Sequence, residues 1–175
     1  MYKYLLFGHL FSVIVGIGNT AMNPVYGTFA KNRQGPGGLA VTEANYRAGR
    51  VGEWFIYAIP VFGILMVIDS EAWDFGMTWI WLSIVLYVVA LGLATGILFP
   101  TVKRMIVLQQ ELVAMGPPPE RVPSENPPPE NRAPSGPPPQ VEELERLGKT
   151  VGTAGGALHV LATVLIILMV WKPGV

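Results

Sequence analysis

The sequence predicts an all-α membrane protein, an up-and-down bundle of four transmembrane helices. Three observations carry that expectation. Four long uncharged runs, Tyr4 to Ala30, Trp54 to Ile68, Phe75 to Val102 and Thr150 to Trp171, divide the 175 residues. A charged fraction of 14% beside an apolar fraction of 51% suits a bundle in lipid better than a water-soluble globule. Of the 12 Lys and Arg residues, all but Lys3 and Lys172 fall in two of the hydrophilic stretches. The first stretch holds Lys31, Arg33, Arg47 and Arg50; the second holds Lys103, Arg104, Arg121, Arg132, Arg146 and Lys149. Four crossings put both stretches on one side, and loops rich in Lys and Arg are retained in the cytoplasm. Both termini, together with Asp69, Glu71 and Asp74, are therefore expected outside.

The first run is about twice as long as the apolar core of a secretory signal, with one preceding Lys and no small-x-small cleavage site. It is expected to be retained as a helix, kinked by Pro24, which supplies no backbone donor. The second run is the short one, since 15 uncharged residues separate Glu53 from Asp69. They cover about 22 Å of a hydrocarbon core of roughly 30 Å, so Glu53 or Asp69 is expected near the hydrocarbon boundary. A re-entrant second segment would separate the two basic stretches, so four full crossings are preferred. Pro60 is expected to kink this helix, and Trp54 to mark its inner end.

Trp73, Trp79 and Trp81 mark the outer end around the second and third spans, and Trp171 that of the fourth, because indoles settle at the headgroup level. The third run meets the cytoplasm at Pro100, and Lys103 to Met115 is expected to continue its helix. From Gly116 to Pro139 the density of prolines predicts a polyproline-II spacer, or a docking site for a proline-binding partner. VEELERLGK then reads as a short amphipathic helix leading into the fourth span. The organisation is thus residues 1–115 with three spans, a linker over 116–140, and the fourth span with its tail over 141–175.

Polar groups in hydrocarbon are costly and face a bundle interior or a water-filled cavity. In the first helix His9, Ser12, Gly16, Asn19 and Asn23 recur at spacings of three and four, so one face carries them all. Such a stripe serves helix packing, or a cofactor pocket containing His9, Asn19 and Asn23. Gly92 and Gly96 in the third helix, and Gly148, Gly152 and Gly156 in the fourth, have the spacing of close-packing ridges. His159 follows on nearly the same face. Glu53 and His159 both fall in the inner half, which makes a proton relay between them an expectation to test. His9 and His159 lie at different depths, against one haem shared by both.

The absence of cysteine removes disulfides, thiolate metal sites and a cysteine nucleophile. No phosphate loop, dinucleotide fingerprint, nucleophile elbow or HExxH is present, and no histidine spacing suggests a metal site. A net charge of zero leaves no large basic patch for nucleic acid, although juxtamembrane Arg and Lys can touch anionic lipid heads.

YLLFGHLFSVIVGIGN, LFPTVKR and LHVLATVLIILMVWKPG together resemble the bacterial four-helix integral membrane proteins of unknown function. The resemblance spans the chain except the proline-rich insert, which replaces a usually short connection. LMVWKPG is also similar to the bacterial membrane protoporphyrinogen oxidases, and the early histidine to the copper-resistance D membrane domain. These resemblances imply a four-helix bundle in the bacterial inner membrane, with His9 as a ligand to haem b or copper. The basic residue that the oxidases carry in their second helix has no counterpart here. Three functions are carried forward: an accessory or interaction component without its own catalysis, working in the lipid bilayer beside another membrane protein or its own copies; a haem- or copper-linked redox protein centred on His9; and a small proton-coupled transporter using Glu53 and His159.

Overall fold

The computed structural model describes residues 1–33, 35–116 and 138–174. Among them every regular element is helical: α1 (Tyr2–Ala21), α2 (Asn23–Asn32), α3 (Pro36–Ile68), α4 (Thr78–Leu93), a π-helical turn (Ala94–Leu98), α5 (Phe99–Ala114) and α6 (Pro139–Trp171). Counting α1–α2 as one rod and α4–α5 as another, four rods are long and apolar enough to cross a membrane. The chain is an all-α, multi-pass membrane protein.

Proline explains where the rods break or widen. Pro24 cannot donate to the Thr20 carbonyl, and the first rod breaks at Met22, two residues ahead of it. Pro60 has the opposite outcome, because α3 runs through it without interruption. The Ile56 carbonyl, four residues back, loses its helical donor and accepts instead from the Tyr87 hydroxyl of α4 at 3.1 Å. Pro100 follows the π-helical turn, whose wider winding accommodates the missing hydrogen bond at that junction.

The first basic stretch, expected as a loop, is mostly helix: α3 begins at Pro36 and carries Arg47 and Arg50 on its first turns outside the apolar run. Proline at the first helical position favours this start. Gly38 makes the α2–α3 corner tight, since a Cβ there would lie 2.7 Å from the Ala30 carbonyl oxygen. VEELERLGK is likewise the first part of α6 rather than a separate helix, with Glu142 in the first turn against the helix dipole. The continuation of the third rod is observed through Ala114. The proline-rich linker lies outside the described residues apart from its ends.

α1 packs along α3, α4 and α5 along α6, and the two pairs meet where α3 touches α5. Both termini and the α3–α4 connection share one end of the bundle. There the amino terminus pairs with Asp69 at 3.8 Å, and Tyr2 and Trp79 each meet Trp73 edge-on at 5.6 Å. Lys172 of the carboxyl end places Nζ 4.1 Å above the Trp73 ring. Val67, Trp79 and Ile80 form the packed cluster beneath. Trp79 is thus buried in this cluster at the end of the bundle, whereas Trp54, Trp81 and Trp171 stay exposed. Ion pairing and hydrogen bonding close the other, basic end: Arg104 of α5 binds Glu143 of α6 at 3.1 Å, and Gln110 donates to Glu43 at 2.9 Å.

Candidate functional site

The expected polar stripe of α1 faces α3. Leu5, His9, Ser12 and Gly16 are its buried residues, all on one side. Close approach of the two backbones depends on glycines from both helices. A Cβ on Gly16 would lie 3.1 Å from the Ile56 backbone nitrogen, and one on Gly8 would lie 2.7 Å from the Phe62 ring. Gly52 leaves room for the Asn19 side chain, whose Nδ2 donates to the Ala48 carbonyl at 3.1 Å. His9 occupies the space over Gly63 and donates through Nδ1 to the Ile59 carbonyl at 3.0 Å. Asn23 drops out of this seam: the break at Met22 starts a new helix, and Asn23 is half-buried with no side-chain hydrogen bond among the described residues.

His9 and the Tyr87 hydroxyl therefore tie α1 and α4 to the Ile59 and Ile56 carbonyls, one helical turn apart just ahead of Pro60. Hydrogen bonds of this kind between transmembrane helices contribute about 0.6 kcal/mol on average. A carbonyl acceptor fixes the proton of His9 on Nδ1 and leaves Nε2 as the only nitrogen able to bind a metal. His9 is 7% exposed, so a haem iron at Nε2 would require neighbouring helices to part. Among the described residues no group of three or more His, Cys, Asp or Glu gathers to hold a metal ion. Among the described residues, those around His9 fit an interhelix tie and gather no copper donor set.

Glu53 and His159 are engaged separately. The carboxylate of Glu53, a residue 7% exposed, accepts from the Arg50 guanidinium one turn earlier and from the Tyr57 hydroxyl one turn later. A carboxylate near hydrocarbon is thereby neutralised within its own helix. Arg50 also lies over the Phe99 ring of α5 at 5.9 Å. His159 donates through Nδ1 to the Gly155 carbonyl at 2.7 Å, and its shielded Nε2 has no hydrogen-bond partner among the described residues. No direct hydrogen bond joins the two members of the expected relay.

The glycine ridges also lie differently from the expectation. Cβ atoms added at Gly92, Gly96, Gly148, Gly152 or Gly156 would meet nothing within 4 Å, so these glycines do not seat a neighbouring helix closely among the described residues. Spacing identifies a smooth strip but not the direction in which it faces. Tyr87, Arg50 and Tyr57 are the participants that sequence reasoning missed. Glu53 with Arg50 and Tyr57 at spacings of three and four was the available signal for two of them. No protein-family model, curated protein or solved structure matches the chain.

Proposed function

We propose that this protein is a non-catalytic accessory or interaction component of the bacterial inner membrane, with both termini outside and the basic end cytoplasmic. The observation that carries the reading is the set of five glycines on the third and fourth rods at which a Cβ would meet nothing within 4 Å among the described residues. Glycine strips let transmembrane backbones approach closely, and here the partner surface belongs to another molecule, either a different membrane protein or a second copy. Large apolar side chains beside the strips, among them Val88, Val89, Val160 and Val164, are exposed laterally. The internal polar groups support the same reading: His9, Asn19, Tyr87 and Glu53 are committed to structural bonds.

Cross-linking in native membranes, followed by purification in mild detergent, tests this. The wild-type protein is expected to yield a discrete complex, and Gly156→Leu to diminish it strongly. The same substitution should leave the stability of the isolated chain within about 0.5 kcal/mol of wild type, as for a residue without neighbours. A monomer in membranes, or a complex indifferent to both Gly152→Leu and Gly156→Leu, would count against an interaction role.

A further inference from the structure

A groove between α3 and α5 lies at the basic end, beside the Arg50–Glu53 pair. One part is a recess of about 300 Å³ whose walls include Tyr46, Arg50, Glu53, Phe99 and Lys103. The adjoining part, about 350 Å³, is lined in addition by Glu43, Arg47 and Val107. Tyr46 and Lys103 border both, which makes the two recesses neighbours in one groove.

The charges within it are unequally engaged. Glu53 is compensated by Arg50 and Tyr57, and Glu43 accepts from Gln110. Arg47 and Lys103 form no ion pair among the described residues. Two cations lining one recess repel each other, and an anion seated between them converts that repulsion into attraction. Their depth favours a lipid over a dissolved ion. Lys103 directly follows the apolar run that ends at Val102, and Arg50 precedes Trp54 by one helical turn, so the groove lies where hydrocarbon gives way to headgroups. Its wall turns apolar toward Phe99 and Pro100, next to the π-helical turn, and Ile97 and Val51 are exposed nearby in sequence. Basic recesses between transmembrane helices on the cytoplasmic side suit anionic headgroups.

We propose that this groove binds an anionic phospholipid, with its phosphate diester between Arg47 and Lys103, the Tyr46 hydroxyl as a further donor, and an acyl chain directed along Phe99. The full chain, purified in mild detergent, is titrated by native mass spectrometry with dioleoylphosphatidylglycerol, dioleoylphosphatidylcholine or inorganic phosphate. Phosphatidylglycerol is expected to bind at least about fivefold more tightly than phosphatidylcholine, and Arg47→Gln and Lys103→Gln each to weaken it about fivefold. Arg47→Lys should retain binding, and Lys149→Gln, which removes a cation outside the groove, should leave it unchanged. Equal binding of the two lipids would overturn the proposal. So would an equal loss in Lys149→Gln, which indicates diffuse surface charge, or full competition by inorganic phosphate at matched concentration, which indicates a site for the free anion. Arg47 and Lys103 are both exposed, so their variants keep the packed core intact.

Discussion

Gly16→Leu is expected to destabilise the bundle by about 3 kcal/mol, the upper part of the range for overpacking a well-filled contact. The nearest atoms to a Cβ at this position are the Ile56 side chain and backbone nitrogen, both at 3.1 Å, with the Phe55 carbonyl carbon at 3.4 Å. A flexible side chain can turn aside, but the backbone of a long helix cannot, so α1 must move away from α3. Separation would also lengthen the Asn19–Ala48 and His9–Ile59 hydrogen bonds above and below that point. Equilibrium unfolding in mixed micelles reads the effect directly. A Gly16→Leu protein as stable as wild type would show that the α1–α3 seam is not closely packed.

Arg50→Gln is expected to cost about 2 kcal/mol, with most of the loss recovered in the double variant Arg50→Gln/Glu53→Gln. Removing one partner of a buried charge pair leaves the other uncompensated, whereas replacing both by neutral groups can be nearly neutral. Glu53 is the buried member, while the side chain of Arg50 is 54% exposed, which places the figure below that of a fully buried pair. Tyr57 alone then serves the carboxylate. Unfolding measurements on the two single variants and the double variant form a cycle that isolates the coupling. Equal destabilisation in the single Arg50 variant and the double variant would mean that Arg50 acts by packing against Phe99 rather than by compensating charge.

The parts of this architecture that depend on one helix alone were legible in the sequence. Run length located the spans, and spacings of three and four located the face shared by His9, Ser12, Gly16 and Asn19. Even the awkward position of Glu53 at the edge of the short second run was visible, and its resolution by Arg50 and Tyr57 on the same helix was within reach. Asn23 fell outside the stripe because Pro24 breaks the helix before it, where a kink within one continuous helix was expected. What required two helices in register was hidden. Tyr87 reaches the Ile56 carbonyl across 31 residues, and Arg47 meets the same groove as Lys103 across two spans, the loop that joins them and the π-helical turn. Glycine periodicity on the third and fourth rods likewise could not state whether the strip faces a neighbour in the same chain.

Topology is the claim on which the site assignments rest: four crossings, with both termini on the side of Asp74 and the basic helix ends on the other. The chain contains no cysteine, so single-cysteine variants need no background removed. Asp74→Cys and Glu142→Cys, probed in intact cells with a membrane-impermeant maleimide, test it most directly. The expected result is labelling of Asp74→Cys from outside, with Glu142→Cys reacting only after the membrane is opened. Labelling of both positions from the same compartment would contradict the account.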